Sequence, residues 1–257
     1  MTAMRKIGIL GGVAWPSTIE YYRMICAGSV AHFRAQGVAP PLPTPPMVIE
    51  SIVQHDARKL RAGPDDDDDA WAAFDAAYRA PLQRLHAAGC DFGIIANNTS
   101  HTRLHSIRRG LDLPLVSILD ETARATAKAG AKRALVLGTG VIMQSPAYAE
   151  ALAAQGVGAN ERLPGDRIAA LQTLIDTEFE TPGSAAGLAG ILGLCRDFGG
   201  PDTAVLLACT ELPLAFPAHL QDPVFEAEGF LFVNTTAVHA RAALDIPLGL
   251  RPLPVSA

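Results

Sequence analysis

The feature that most constrains this chain is a strand-to-turn pattern that occurs twice. The stretch IIANNTSH (94–101) passes from an apolar run into a polar turn that begins at Asn97. The stretch LLACTELP (206–213) has the same form, with Cys209 at the matching position. A short apolar run that ends in polar residues is typical of a buried strand whose carboxyl end opens into a functional turn. The repeat predicts an internal duplication.

A second pair of segments supports the duplication, because KIGILGG (6–12) aligns with RALVLGTG (133–140). Apolar runs alternate with helix-like segments along the chain, which predicts the α/β class with parallel sheets covered by helices. We expect two similar, flavodoxin-like units related by pseudo-twofold symmetry, the first formed by 1–112 plus 215–257 and the second by 113–214. Ligands of such sheets bind beyond the carboxyl ends of strands, so the two turns are expected to line one cleft.

Composition excludes several classes of function. A net charge of -5 without a Lys/Arg cluster argues against nucleic acid, and no apolar run reaches the roughly 18 residues that a membrane span requires. The four cysteines form no C-x-x-C pair or zinc spacing, so we expect free thiols, no metal and a cytoplasmic location. The aspartate run 65–69 is interpreted as a solvated helix start.

The two turns suggest a chemistry. Two thiols on opposite sides of a substrate carbon could exchange its proton without a cofactor, one removing it and the other delivering it to the opposite face. Cysteine suits this work because its pKa, near 8.5 in the free residue, is readily shifted by its surroundings. Of the two turns, only the one at Cys209 carries a thiol at this position. The other turn has Asn97, whose amide cannot act as a base.

Several motifs together resemble those of the aspartate racemase branch of the aspartate/glutamate racemase superfamily. The N-terminal IGILGGVAWPSTIEYYRMI is similar to G-G-M-S-W-E-S-T followed by E-Y-Y-R, NNTSH to C-N-T-x-H, and ACTELP to G-C-T-E-x-P. LVLGT and NTTAVHA (234–240) match further segments, so the resemblance extends from Lys6 to about Asp245. It implies chemistry at an amino acid α-carbon that is independent of pyridoxal phosphate, in a homodimer.

The chain departs from the family pattern at identifiable positions. Asn97 stands where the family has its first cysteine, Ala14 replaces a serine, Ile142 replaces a threonine and Asn234 replaces an aspartate. No matching arginine or lysine occurs near 52–57 or at Thr177. These positions include the determinants of specificity, so the sequence leaves the identity of the substrate open.

The candidate site follows from the motifs. Cys209 is expected to act as acid and base, with Asn97 as a holder of substrate or water. Glu211, His101 and His239 are expected to support the site from behind, although a helix cap for Glu211 and structural roles for the histidines are alternatives. Asn98 and Thr99 could instead form an Asx-type turn, and Ser17 and Thr18 could simply cap the first helix. The predicted substrate-binding residues are Asn98, Thr99, Thr139, Thr210, Ser17 and Thr18.

Three functions are compatible with this pattern. The leading interpretation is an amino acid racemase or related isomerase acting on a small carboxylate. A single-thiol decarboxylase or isomerase is the first alternative, because protonation on one face needs only one proton carrier, as in the single-cysteine arylmalonate decarboxylases of the superfamily. The other is a catalytically impaired protein that binds a small carboxylate.

Overall fold

The computed structural model describes residues 4–63, 66–160, 162–179 and 182–254. The chain divides into two compact units, unit 1 with residues 1–117 and 239–257, and unit 2 with residues 118–238. Each unit contains a sheet of mainly parallel strands with helices, which confirms the α/β class. The strands are β1 Ile7–Gly11, β2 Met47–Ser51, β3 Phe92–Ile95, β4 Arg133–Gly138, β5 Gly158–Ala159, β6 Thr203–Ala208, β7 Val224–Ala227 and β8 Phe230–Asn234. The α-helices are α1 Trp15–Ala35, α2 Gln54–Lys59, α3 Asp68–Ala87, α4 Leu104–Ile107, α5 Ile118–Lys128, α6 Gly140–Gln144, α7 Ala147–Ala153, α8 Gly165–Thr177, α9 Ala185–Phe198 and α10 Thr235–Asp245.

Unit 1 is built on a three-stranded parallel sheet in the order β2-β1-β3. Alternate residues of β1 point to opposite faces. Ile9 therefore packs with Tyr21 and Ile25 of α1 on one face, while Leu10 packs with Tyr78 of α3 on the other. Both faces are thus covered by helices, as the apolar character of β1 predicts.

The aspartate run lies at the start of α3, as the sequence predicts. Asp67 is the N-cap of this helix, and its carboxylate accepts a hydrogen bond from the backbone N–H of Ala70. Asp68 and Asp69 occupy the first turn, where negative charge is favourable. Asp65 lies outside the described residues.

Unit 2 repeats the core of unit 1 and extends it. Its five-stranded sheet has the order β5-β4-β6-β8-β7, and all neighbours are parallel except β7 and β8. The segment β5-β4-β6 has the same order as β2-β1-β3, so β4 corresponds to β1 and β6 to β3. This correspondence is the one that the repeated sequence segments predict.

The predicted unit boundaries, 1–112 plus 215–257 and 113–214, differ from those of the structure. Residues 215–238 belong to unit 2 because β8 pairs in parallel with β6, from Ala204–Leu231 to Leu207–Asn234. The segment 113–117 stays with unit 1, where Leu115 forms a parallel bridge with Gly93. The apolar run LPLVSI is therefore limited to this bridge and does not form a full strand.

Helix α10 connects the two units in sequence, because the boundary at 238/239 falls within it. Its C-terminal half returns the chain to unit 1, where Ala243 and Leu244 join the core that contains Ile7 and Ile9. Among the described residues, no helix combines the length and the apolar character needed to cross a bilayer.

Candidate active site

Asn97 and Cys209 occupy equivalent positions at the carboxyl ends of corresponding strands. In unit 1, Ile95 of β3 pairs with Leu10 of β1, and Asn97 follows Ile95 by two residues. In unit 2, Leu207 of β6 pairs with Leu137 of β4, and Cys209 again follows by two residues. The strand register therefore places an amide in one unit where the other unit has a thiol.

The Cys209 turn joins a thiol to a carboxylate. The Sγ of Cys209 donates a hydrogen bond to Oε2 of Glu211 at 2.8 Å, and Oγ1 of Thr210 donates to the same oxygen at 2.8 Å. Glu211 precedes a short 3-10 helix, Leu212–Ala215, but its side chain makes no capping hydrogen bond. The carboxylate is thus turned toward the thiol, and the capping role considered for Glu211 is not observed.

This environment keeps the Cys209 thiol protonated at neutral pH. Burial raises the pKa of Cys209 well above its usual value, and the negative charge and hydrogen bond of Glu211 raise it further. Backbone N–H groups of Glu211 and Thr210 lower the pKa and offset only part of this effect. The resting pair is therefore a thiol beside a carboxylate, which can donate a proton and has a proton acceptor next to it.

Thr139 has a hydroxyl without a hydrogen-bond partner, directly after the neighbouring strand β4. Gly138 at the end of β4 pairs with Ala208 at the end of β6, so Thr139 and Cys209 are the next residues on adjacent strands. The Oγ1 of Thr139 is buried and has no hydrogen-bond partner among the described residues. A buried hydroxyl without a partner is costly, and a polar ligand at this strand end would satisfy it.

The side chain of Asn97 stabilises its own turn. Its Oδ1 accepts hydrogen bonds from the backbone N–H of Ser100 at 3.1 Å and from Oγ of Ser100 at 2.6 Å. A backbone N–H can only donate, so this contact fixes which end of the amide carries the oxygen. The Nδ2 group consequently points away from Ser100 and makes one long contact, 3.4 Å, to the hydroxyl of Tyr78.

Asn98 and Thr99 lie in the same buried turn. Asn98 precedes a 3-10 helix, Thr99–Arg103, and its carbonyl accepts from the N–H of His101 at 3.0 Å. The carbonyl of Thr99 accepts from Oγ1 of Thr102 at 2.9 Å. These are turn-forming bonds, and in the same turn Asn97 makes an Asx-type side-chain bond to the backbone N–H of Ser100.

Two buried histidines support the Asn97 turn from inside unit 1. The Nδ1 of His101 donates to the carbonyl of Asn97 at 2.8 Å. The Nε2 of His239 donates to the carbonyl of Val116 at 3.0 Å, which leaves Nδ1 to accept from the Tyr21 hydroxyl at 2.8 Å. The two rings meet edge to face at 5.4 Å. His101 therefore orients the Asn97 turn through the bond to the carbonyl of Asn97.

Burial keeps both imidazoles neutral. It lowers the pKa of His101 to about 3, with the neighbouring His239 contributing further, and it lowers the pKa of His239 to about 4, with a smaller effect from Arg251. Neither ring is therefore a proton carrier near neutral pH.

Ser17 and Thr18 do not cap α1, which was the alternative to the predicted substrate-binding role. The helix begins earlier, at Trp15, with Pro16 in its first turn, where the fixed φ of proline favours helix initiation. The hydroxyl of Ser17 lies 2.8 Å from the carbonyl of Ala96 and 2.9 Å from that of Ala14, and it can donate to one of them at a time. Oγ1 of Thr18 accepts from the N–H of Gly12 at 3.0 Å. Both side chains thus stabilise the β1–α1 turn.

Tyr78 is the residue near Asn97 that the sequence did not indicate. Burial raises the pKa of Tyr78, while Arg61, the Asn97 hydrogen bond and Arg58 lower it, so two cations act on this part of unit 1. Tyr78 lies on α3, within an apolar helix pattern, and nothing local distinguishes its hydroxyl from that of a core tyrosine.

In the described ranges, no cluster of three or more His, Cys, Asp or Glu residues could hold a metal ion.

Several proteins of known structure share this architecture. A putative Asp/Glu racemase from Yersinia pestis is 26% identical, with a TM-score of 0.74 over 95% of this chain and 100% of the other. An aspartate racemase homologue from Pyrococcus horikoshii is 23% identical, with a TM-score of 0.70 over the same shares of the two chains. An arylmalonate decarboxylase mutant shares the fold at 14% identity, with a TM-score of 0.54 over 98% of this chain and 96% of the other.

The family model described as Asp/Glu/Hydantoin racemase matches residues 10–243, which include the Asn97 turn, the Cys209 turn and nearly all of α10. The two-unit parallel α/β fold agrees with that of the solved racemase structures. This chain belongs to the Asp/Glu/hydantoin racemase family.

Proposed function

We propose that this protein is a cofactor-independent isomerase of the racemase type that acts at the α-carbon of a small carboxylate, an amino acid in the leading case. Cys209 is the proton carrier in this proposal. The single observation that carries it is the hydrogen bond from the Cys209 thiol to the Glu211 carboxylate at 2.8 Å, at the end of β6. Family membership supports the reaction class, and the amino acid itself remains unassigned.

The proposed proton transfer runs between sulfur and carbon. In the deprotonating direction, Glu211 receives the thiol proton, and the resulting Cys209 thiolate removes the α-proton, so that the C–H electron pair moves into an enolate. In the reverse direction the thiol protonates the carbanion, and the Glu211 carboxylic acid returns its proton to the thiolate. A thiol and a carboxylate 2.8 Å apart support such a relay, because proton transfer requires hydrogen-bond contact.

Thr139 is proposed to bind the carboxylate or enolate oxygen of the substrate, since its buried hydroxyl has no partner in the described part of unit 2. Hydrogen bonds that strengthen as charge develops on that oxygen stabilise the transition state. Thr210 is proposed to act differently from the sequence prediction. Its hydroxyl donates to Glu211, so it positions the carboxylate rather than the substrate.

Asn97 is proposed to hold substrate or a water molecule, without transferring a proton. Its Oδ1 is engaged by Ser100, whereas among the described residues Nδ2 makes only the long contact to Tyr78 and retains capacity to donate. An amide is far too weak a base to accept a proton from carbon near neutral pH. The proposal therefore makes the two faces of the α-carbon unequal.

A second candidate is a decarboxylase or isomerase that protonates a carbanion on one face only. The observation that favours it is the raised pKa of Cys209, which burial and Glu211 keep as a proton donor, together with the lack of a thiol at Asn97. Loss of carbon dioxide would leave the carbanion, and the Cys209 thiol would supply the proton that replaces it.

The test is exchange of the α-hydrogen in D₂O, followed by NMR for D- and L-amino acids offered separately. We expect one enantiomer to gain deuterium at least about tenfold faster than the other, because only one face meets a thiol. Equal and rapid exchange of both enantiomers would contradict the role given to Asn97. A substituted malonate forms a parallel arm, in which release of carbon dioxide with a deuterated product would favour the second candidate.

Cys209→Ala is the matched variant for this assay, and it should lower the exchange rate by about 10²–10⁴-fold. Cys90→Ala is the control, because Cys90 precedes β3 and lies in the core at the opposite end of the strand from Asn97. Equal losses in the two variants would indicate damage to the fold. Saturable binding of a carboxylate without any exchange would replace the enzymatic proposal with the carboxylate-binding alternative.

A further inference from the structure

One side of α3 faces the segment that follows Asn97. Four side chains of this helix are spaced three, four and three residues apart, which places them along one side of it. Arg103 contacts the first three, and the fourth reaches Asn97. In chain order the four are Asp68, Trp71, Asp75 and Tyr78. Helix α3 therefore contacts the segment that begins at Asn97 at two separate points.

Arg103 makes the more extensive of the two contacts. Its Nη2 donates to Oδ2 of Asp75 at 2.8 Å and its Nε to Oδ1 of the same carboxylate at 3.3 Å, so the pair is bidentate. Its Nη1 lies 2.7 Å from Oδ1 of Asp68, and the guanidinium carbon is 5.5 Å from the centre of the Trp71 ring. We call Arg103 with these three partners the Arg103 clamp. Because a planar group bound on three sides has one orientation, the clamp fixes the end of the 3-10 helix Thr99–Arg103 against α3.

The centre of the clamp is a buried ion pair. The side chains of Arg103 and Asp75 are only 12% and 6% exposed. The hydrogen bond with Asp75 raises the pKa of Arg103 against the opposing effect of burial, and the hydrogen bond and charge of Arg103 lower the pKa of Asp68. Apolar side chains of similar volume often stabilise a core as well as a buried ion pair does. The distinctive contribution of this pair is therefore a fixed geometry rather than stability.

The path of the chain carries this geometry to the Asn97 turn. Before the turn, Ile95 is held in the sheet by its pairing with Leu10. After the turn, the clamp holds Arg103, and His101, two residues earlier, donates to the carbonyl of Asn97 at 2.8 Å. The Asn97 turn thus lies between two fixed ends, and the clamp is the end that a local sequence pattern does not provide.

We propose that Arg103 is a positioning residue, which through its clamp on α3 sets the direction in which the Asn97 side chain meets the substrate. This inference rests on the role proposed above for Asn97 as a holder of substrate. It also gives a function to one residue of the aspartate run, since Asp68 is both a first-turn residue of α3 and a partner of Arg103. Cys209 belongs to the other unit, so Arg103 should affect binding more than proton transfer.

The first test is amide hydrogen exchange followed by mass spectrometry, which needs no substrate. Arg103→Lys keeps the positive charge but cannot bind a carboxylate through two parallel bonds. Exchange in peptides that cover 98–107 should become at least about threefold faster, while peptides that cover 203–212 should exchange as in the native chain. Arg84→Lys is the matched control, because Arg84 lies on the same helix but pairs with Glu50 of β2.

Unchanged exchange over 98–107 in Arg103→Lys would overturn the clamp. Because this result does not depend on activity, it separates a failure of the clamp from a failure of the proposed function. Asp75→Asn is the second variant if Arg103→Lys folds poorly, since it keeps the shape of the side chain and removes its charge. It should accelerate exchange in the same peptides.

The second test uses the amino acid whose α-hydrogen the native chain exchanges fastest in D₂O. Arg103→Lys should raise the KM for this amino acid by at least about threefold and change kcat by less than about twofold, because the proton carrier lies in the other unit. Once Asn97 is replaced by alanine, Arg103→Lys should no longer raise KM, since both changes act through the same side chain. A KM that Arg103→Lys leaves unchanged, or raises equally in the native and Asn97→Ala backgrounds, would overturn the positioning role.

Discussion

The Asn97 turn and the Cys209 turn end corresponding strands, but their side chains are used in opposite ways. In unit 1 the Asn97 oxygen bonds to Ser100 and its carbonyl to His101, so the turn is closed by its own residues. In unit 2 the Cys209 thiol meets the carboxylate of Glu211, an arrangement that can move a proton. The comparison teaches that the duplicated sheet supplies two equivalent positions, while the residue and its neighbours decide which of them can carry chemistry.

The electrostatic surroundings differ in the same sense. Behind Asn97 lie two imidazoles that burial keeps neutral, whereas beside Cys209 lies a carboxylate whose negative charge raises the pKa of the thiol. One turn is therefore built on uncharged hydrogen bonds and the other on a titratable pair. Perturbing each kind of support separately tests whether this difference is real.

The largest expected effect is the acid sensitivity of unit 1. Because the folded-state pKa values of His101 and His239, about 3 and about 4, lie below the usual 6.5, protonation favours the unfolded state. Their contribution to stability is complete above about pH 6.5 and is lost as the pH falls toward 4 and then 3, by about 3 kcal/mol for His239 and about 5 kcal/mol for His101. Urea unfolding monitored by tryptophan fluorescence measures this loss, because Trp15 and Trp71 both lie in unit 1.

The control for this prediction is His239→Gln, in which an amide can replace both hydrogen bonds of the ring without titrating. The stability of this variant should depend less on pH between 6.5 and 4 than that of the native chain. If the stability of this variant depends on pH as strongly as that of the native chain, His239 does not cause the acid sensitivity of unit 1.

The next effect separates the two ends of the Asn97 amide. Asn97→Asp keeps an oxygen that accepts from Ser100 and removes the Nδ2 donor, so the turn should retain its stability within about 1 kcal/mol. The new negative charge and the lost donor should raise the KM for a carboxylate substrate by about tenfold or more. Kinetics on the amino acid identified by deuterium exchange, together with urea unfolding, measure both quantities. If KM stays constant, Asn97 is only a turn residue.

The smallest effect concerns the charge beside the thiol. Glu211→Gln removes the negative charge that raises the pKa of Cys209, so the midpoint for alkylation of this thiol by iodoacetamide should move to lower pH. Mass spectrometry of the Cys209 peptide follows the reaction, and Cys26 in the same sample serves as the internal control. A midpoint that stays in place or rises would show that Glu211 does not govern the thiol.

The equivalence of the two turns could be predicted from sequence because it depends on local patterns. The apolar run before Asn97 and the one before Cys209 each determine a buried strand, and strand ends then fix the position of the polar residue. The position of Cys209, directly after a strand and two residues before Glu211, was likewise visible as a motif. The bond between Sγ and the carboxylate required the structure, because turn conformation decides where Glu211 points.

Other features depend on contacts between distant residues and could not be predicted. Tyr78 reaches Asn97 from α3, and the Ser17 hydroxyl reaches the carbonyl of Ala96 across the sheet. The placement of 215–238 depended on which strand β8 would join, and an apolar segment does not specify its partner. Tertiary pairing, rather than local propensity, determined the unit boundary.

The path of the chain through the two units has a consequence for the order of folding during synthesis. Unit 2 is one continuous segment, 118–238, so all of its strands are available before the end of the chain has emerged. Unit 1 is split, and the core around Ile7 and Ile9 lacks Ala243 and Leu244 until α10 is complete. Part of the apolar core of unit 1 therefore stays exposed until α10 has been synthesised. The unit made second is the one that can finish folding first.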